Sequence, residues 1–461
     1  MALIGTKEAV PALAALLADE RLSGYARFGL EPIADPSVDD ALRDALEKLH
    51  GELLVGVINS IGFRRDAKAV AALARRVEDP APEVAPKALA ALGRIATPEA
   101  ADVLQRSLSR DSAAVRASAA DACLVSAERL LAQDQREASV RLYDAVRGAD
   151  VPKQTRAAAT RGSILARQAA GIPLLLEQLK ADDADMVGMA FRTSRELPGS
   201  DVTQSLVAAL EALPGQRQVL LIRAIGDRLD AAALPAMRKW ASSGPQEVRS
   251  AAIHVLGQLG DTSAATLLLD AALSGEPALA QAAQESLKQL RGNAVDEAIV
   301  ARLEGADPAT RVVLLDLVSQ LAIASAIPAV LQAADHPDEQ VRLAAIATLG
   351  RITGMKEFPL LTDRFLAARS PQETSAAQDA LKVAVLRMPQ PDACVSMLLE
   401  RLPKAPVASK CLLIELLGSI GGARALQAVS AAAEDPAAAE DLAEAIQDAA
   451  TRALGKWGDA D

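Results

Sequence analysis

PQEVRSAAIHVLGQLGDTSAATLLLDAALSG, residues Pro245–Gly275, decides the architecture. Val248, Ala252, Val255 and Leu259 recur at spacings of four, three and four, which is one apolar face of a helix. Pro245 opens that helix, because a proline at a helix start loses no hydrogen bond and brings a helical φ. Gly260 ends it, since glycine adopts the left-handed conformation at a C-terminus without strain. Asp261 or Thr262 then caps a second helix, whose apolar face is Leu268, Ala272 and Leu273. Gly275 closes the unit. The stretch therefore reads as two antiparallel helices joined by a short turn.

The same punctuation recurs along the chain. Prolines at 245, 277, 308, 337, 371, 406 and 436 are spaced by 29 to 35 residues. Val84, Val248 and Val341 each precede a glycine (Gly93, Gly257, Gly350) by nine residues. Leu-Gly or Ile-Gly pairs return at Ile61-Gly62, Leu92-Gly93, Ile225-Gly226, Leu256-Gly257, Leu349-Gly350 and Leu417-Gly418. Eight residues ahead of the glycine stands a base in several units: Arg249, Arg342 and Lys410. Arg116 holds the equivalent place where the glycine is missing. A fixed period of this length is the mark of a repeat array.

PDEQVRLAAIATLG (Pro337–Gly350) and AIPAVL (Ala326–Leu331) resemble the HEAT repeat, with support from Ser250–Gly257, Ala88–Gly93 and Ala9–Leu13. The resemblance covers nearly the whole chain and implies an all-α, right-handed α-solenoid of about thirteen antiparallel helix pairs, with half-units at each end. Unit starts are expected near residues 21, 51, 81, 112, 151, 184, 215, 245, 277, 308, 338, 371 and 406. The chain is expected to divide into HEAT-like repeats over 1–111, longer helices similar to tetratricopeptide repeats over 112–170, and HEAT-like repeats over 171–461. In the middle stretch Leu142-Tyr143 sits where such repeats place a packing aromatic. Pro436–Trp457 reads as a last acidic helix. The chain opens in mid-pattern, which suggests a segment of a longer protein. It also looks similar to HEAT arrays of large secreted bacterial proteins that precede a 3-keto-disaccharide hydrolase-like domain, a resemblance that implies a linker or docking role.

Composition limits the function. Hydrophobic residues make up 51% of the chain and aromatics 2%, so the interior must be built from Ala, Leu, Val and Ile in close-packed helices. A net charge of −11 argues against nucleic acid as the main partner. No apolar run reaches the roughly 18 residues that span a bilayer, so no membrane insertion is expected. Three cysteines without CxxC spacing, Cys123, Cys394 and Cys411, make no disulfide framework. Cys394 and Cys411 fall on neighbouring helices, either bonded or as two small buried thiols.

No cluster reads as catalytic, metal-binding or cofactor-binding. His50, His254 and His336 stand apart, and the His-Glu dipeptides of the HEAT-like deoxyhypusine hydroxylases are absent. The aromatic basic cleft of alkylpurine DNA glycosylases and the tetrapyrrole cradle of phycobilin lyases have no counterpart. The pairs Asp39-Asp40 and Asp182-Asp183 lie at helix starts, where they complement the helix dipole.

Three groups remain as candidate contacts for a protein or peptide partner of a monomeric scaffold. Arg129, Arg136, Arg141, Arg147, Lys153, Arg156, Arg161 and Arg167 set eight bases against four acids (Asp134, Glu137, Asp144, Asp150), a local reversal in an acidic chain. They suit an acidic partner, or else form a solvated face with pairs such as Glu137–Arg141. Tyr25, Arg27, Phe28, Asn59, Arg64, Arg65 and Asp66 combine residue types typical of interface hot spots, or else fill an end-repeat core with Asp66 as a cap. The phased Arg249, Arg342 and Lys410 read as a structural ladder, with Asp335 and Asp338 as partners for Arg342.

Overall fold

A computed structural model describes residues 5–260, 262–290, 293–434 and 440–456. Among them every regular element is a helix, and short 3-10 turns lead into many of the helices. Each expected unit start falls within three residues of a helix start, from Ser23–Leu30 and Gly51–Arg64 to Pro371–Arg387 and Val407–Ile420. The chain is an all-α solenoid. Pro436, Trp457 and Asp261 lie outside the described residues; the last helix is described over Glu440–Gly455.

The helices separate into two compact units, Met1–Ala233 and Leu234–Asp461. Within each unit they form two layers. One layer holds the helices that open the expected units, such as Val84–Ile95 and Glu339–Ile352, and many of these stack closely side by side, though Ser23–Leu30 with Gly51–Arg64 and Pro277–Gln289 with Pro308–Leu321 do not. The other holds their antiparallel partners, such as Pro98–Ser107 and Phe358–Leu366, which touch one another far less. We call the first of these layers the inner one.

The inner helices are buried on more than one side. In Gln246–Gln258 the expected face Val248, Ala252 and Val255 is buried, and so are Ile253 and Leu256. Leu259 is half-buried. The extra burial comes from the neighbouring inner helices. Glycine makes that spacing possible. A Cβ on Gly93 would stand 2.7 Å from the Ala122 carbonyl oxygen, and one on Gly257 would stand 2.8 Å from Ser286 Cα. Gly62, Gly350 and Gly418 face the next inner helix in the same way. The glycine of the Leu-Gly pair is thus a contact surface inside the helix, whereas helix ends use left-handed residues such as Arg65, Ala96, Ala322 and Gly260.

Gly188, inside Ala184–Glu196, is the contrasting case: a Cβ added there would meet nothing within 4 Å. Gly188→Ala is expected to stabilise that helix by ~0.5–1 kcal/mol, because only backbone entropy changes. Amide exchange across Ala184–Glu196 should slow by roughly two- to five-fold. Faster exchange there would mean that a hidden close contact exists.

In the stretch after Ser112 the helix Ala113–Ala132 is the longest described, while Arg136–Gly148 and Lys153–Arg167 match helices elsewhere in length. Tyr143 is buried and its ring lies against Gly162, which leaves no room for a side chain there. Cys394 and Cys411 are free thiols, not a disulfide. Cys394 Sγ lies 3.4 Å from Met355 Sδ, while Cys411 turns to the Ala445 carbonyl.

Candidate functional site

The first two inner helices carry the candidate site. Ser23–Leu30 buries Ser23, Ala26, Gly29 and Leu30, which leaves Tyr25 and Phe28 on the other side. They are 77% and 66% exposed, so they do not fill an end-repeat core. In Gly51–Arg64, Gly62 faces Ala91 on the next inner helix and Gly56 faces Arg27 on the previous one. Leu54, Val57, Ile58 and Ile61 are buried. At 100° per residue the remaining side carries Glu52, Asn59 and Phe63. Phe63 is 60% exposed. Three of the nine aromatic residues in the chain therefore meet solvent on two adjacent helices. Phe63 was not singled out from the sequence, because its Ile-Gly-Phe context reads as core. A cleft of about 590 Å³ beside Tyr25 and Phe28, not reaching Phe63, is lined by Glu20, Arg21, Tyr25, Arg27, Phe28 and Glu52 among others.

A polar frame fixes the two helices. Arg27 Nη1 donates to the Gly56 carbonyl (3.2 Å), and its flat guanidinium lies where a Cβ on Gly56 would be. Ser60 Oγ donates to Glu31 (2.7 Å). Arg64 donates to the carbonyls of Glu31, Ile33 and Asp35 and pairs with Asp39; its side chain is 9% exposed. Arg64 therefore ties one repeat to the next and does not offer its charge to a partner. Asp66 caps the following turn at Lys68 N–H (3.0 Å), as expected, and also pairs with Arg43. Arg65 is exposed with a left-handed backbone.

The eight bases between 129 and 167 do not form one patch. Arg147, Arg167 and Ser163 converge on Asp144, whose desolvation is outweighed by these donors, so its pKa falls below the usual range. Lys153 joins Asp183 and Asp185, and Arg161 joins Glu196. Arg156 donates to the Val151 carbonyl. The expected Glu137–Arg141 pair is not formed; an exposed pair of that kind contributes only a few tenths of a kcal/mol and does not dictate a side-chain position. Arg129, Arg136 and Arg141 hold no side-chain ion pair with a described residue.

Arg249 and Arg342 form ladder rungs with partners that differ from expectation, while Lys410 makes no side-chain ion pair with a described residue. Arg116, Arg156, Arg249, Arg311 and Arg342 are each the fourth residue of an inner helix. Most reach carbonyls of the preceding turn or an acid of the next unit: Arg116 to Asp111 O and Asp150, Arg249 to Glu276, Arg311 to Leu303 O. Arg342 pairs with Glu373, not with Asp335 or Asp338. Asp338 is occupied as the cap of its own helix, and Asp335 pairs with Arg364 and Arg369. Arg156 and Arg311 were missed because eight residues on stand Ile164 and Ser319 in place of the glycine.

The histidines sit in separate repeats, and among the described residues no group of three or more His, Cys, Asp or Glu could hold a metal ion. Burial pushes the Cys123 thiol up to about 12. Among the described residues no helix is long and apolar enough to cross a membrane.

Stacked helix pairs, glycine-spaced inner helices and an arginine ladder define an α-solenoid repeat protein. The chain belongs to the HEAT-repeat family: a family model described as HEAT repeats matches residues 39–123, 214–288 and 297–382, more than half of its length. Among solved structures it is similar to importin beta, at 13% identity over 97% of this chain and 73% of that one, with a TM-score of 0.37. The Kap95:Nup1 complex gives 12% identity, the same two coverages and a TM-score of 0.42. Human deoxyhypusine hydroxylase in complex with glycerol gives 17% identity over 61% of this chain and 96% of that one, with a TM-score of 0.26. At these values the likenesses carry nothing about activity. No curated protein matches the chain.

Proposed function

We propose that this chain is a non-catalytic interaction scaffold that binds a protein or peptide on the inner layer of its N-terminal unit. One observation carries the reading: Tyr25, Phe28 and Phe63, three of only nine aromatic residues in the chain, are exposed on adjacent inner helices. Exposed rings on a rigid frame are the usual core of a binding hot spot, because they bury much area at little entropic cost.

The test is site-specific photocrosslinking in the source cells. A photoreactive phenylalanine analogue at position 28 or 63 is expected to give a discrete heavier adduct. The same analogue at Arg75, on the flanking layer and 65% exposed, should give none. Adducts at position 75 with none at 28 or 63 would remove the inner layer as the binding face.

A further inference from the structure

Past Phe63, at the ends of successive inner helices, lie three cations without an ion pair to any described residue. Arg43, Arg64, Arg76 and Arg116 of the same unit are tied to acids or carbonyls, whereas Arg21, Arg106, Arg136 and Arg141 are not. Arg65, Arg94 and Arg129 make no side-chain hydrogen bond or ion pair with any described residue, and Arg129 Nε is buried without a partner. All three lie at the C-terminal ends of consecutive inner helices. Arg65 closes Gly51–Arg64, two residues after Phe63. Arg94 is in the last turn of Val84–Ile95, its Cδ 3.6 Å from where a Gly62 Cβ would be. Arg129 is in the last turn of Ala113–Ala132. Gly93 faces Ala122, so the end of this longer helix projects about two turns beyond its neighbour. Burial first, and the Arg65 charge second, hold the Arg129 pKa below its usual value. The exposed carboxylates on the overhanging helix are Asp121 and Glu128.

A protein of net charge −11 that leaves three guanidiniums unpaired on consecutive inner helices, two of them beside the exposed Phe63, is complementary to a ligand with both anionic and apolar groups. A dense polyanion would meet the rings without using them and would be repelled by the rest of the chain. Building on the scaffold reading above, we infer that this lip docks an acidic linear segment of a partner protein. Its aromatic or branched aliphatic side chains cover Phe28 and Phe63, and its carboxylates face Arg65, Arg94 and Arg129. The attraction is screened by salt, so binding weakens as ionic strength rises.

The experiment selects a random display library of 16-residue peptides on the full chain, then measures the selected peptides by fluorescence anisotropy. Phe28→Ser/Phe63→Ser and Arg65→Gln/Arg94→Gln/Arg129→Gln are compared with the parent, with circular dichroism confirming that each folds. Arg94→Glu, a single exposed change, covers the case in which the triple variant does not fold. The expected result is a set of net-negative peptides carrying apolar residues, bound at least tenfold more weakly by each variant and by the parent at high salt. Neutral or basic binders, or acidic ones indifferent to the substitutions, would overturn the acidic-segment assignment while leaving the scaffold reading intact. Failure to select any peptide above background would count against both. Sedimentation of the parent and variants distinguishes one more outcome: self-association abolished by the Phe substitutions would make the occupant a second copy and overturn the inference.

Discussion

Gly350→Val is expected to open the C-terminal unit locally, at a cost of about 3 kcal/mol or more. In an exposed helix, replacing glycine by a residue with a Cβ gains up to ~1 kcal/mol. Here the sign reverses. A Cβ on Gly350 would stand 2.6 Å from Ala380 Cα and 2.7 Å from Ala380 O. Both atoms are backbone, so they move only if the whole helix Pro371–Arg387 moves. Overpacking of this kind costs ~1–3 kcal/mol for a few extra carbons, and a β-branched side chain against backbone belongs at or above the upper end. Each repeat depends on its neighbours for burial, so the loss should be concentrated around the altered contact. Hydrogen exchange on the full chain should show amides in Glu339–Ile352 and Pro371–Arg387 exchanging roughly a hundredfold faster, with Gly51–Arg64 unchanged. Unchanged protection around residue 350 would show that the glycine spacing is not what sets helix approach.

The second large effect concerns the buried pair between Arg342 and Glu373. Arg342 Nε and Nη2 donate to Glu373 Oε1 at 2.8 and 2.7 Å, and the two side chains are 10% and 4% exposed. Glu373 Oε2 also accepts the Arg369 N–H (2.9 Å), and Arg342 Nη1 donates to the His336 and Pro337 carbonyls. Every strong group in the pair is thus satisfied. Such a pair adds little net stability over an apolar equivalent, but removing one partner strands a charge at ~3–5 kcal/mol. Glu373→Ala leaves Arg342 with two carbonyl acceptors, so the lower end, about 3 kcal/mol, is expected. Arg342→Met/Glu373→Leu should recover most of that loss, as read from exchange protection of Glu339–Ile352. A double variant no better than Glu373→Ala would show that the two side chains are not coupled.

The same pair sets an acid limit. Burial would raise the Glu373 pKa, but the Arg369 N–H and Arg342 together bring it below its ordinary value. The folded form therefore binds this proton less readily than the unfolded chain does. Its contribution is fully present above the unfolded pKa of about 4.3 and is lost as pH falls through the folded value. Protection of Glu339–Ile352 should accordingly fall below about pH 4.3 in the parent and be less pH-dependent in Glu373→Gln. Identical pH profiles would remove Glu373 from this account.

Much of the fold was legible because its signals are local. Apolar residues spaced by three and four in Gln246–Gln258, and the prolines that precede its counterparts, are properties of one helix and its own start. They place every unit to within a turn. Less of the site could be read. Tyr25 and Phe28 were visible as a pair three residues apart, but exposure depends on whether another helix covers them, and Phe63 looks like any other core phenylalanine in its own segment. Arg64 and Arg65 are adjacent in sequence and opposite in role: one threads between three carbonyls of the previous repeat, and the other points to solvent.

The sequence by itself determined the repeat, its period, the starts of its units to within a turn and a resemblance to the family. Only the tertiary structure decided that the Leu-Gly glycine is a contact between helices, that Arg342 answers to Glu373, and that Arg129 comes near Arg65. Those facts join residues about 30 to 65 positions apart. Their meeting depends on how closely neighbouring helices stack and how far one helix outruns the next, quantities that the apolar spacing within a single helix does not encode.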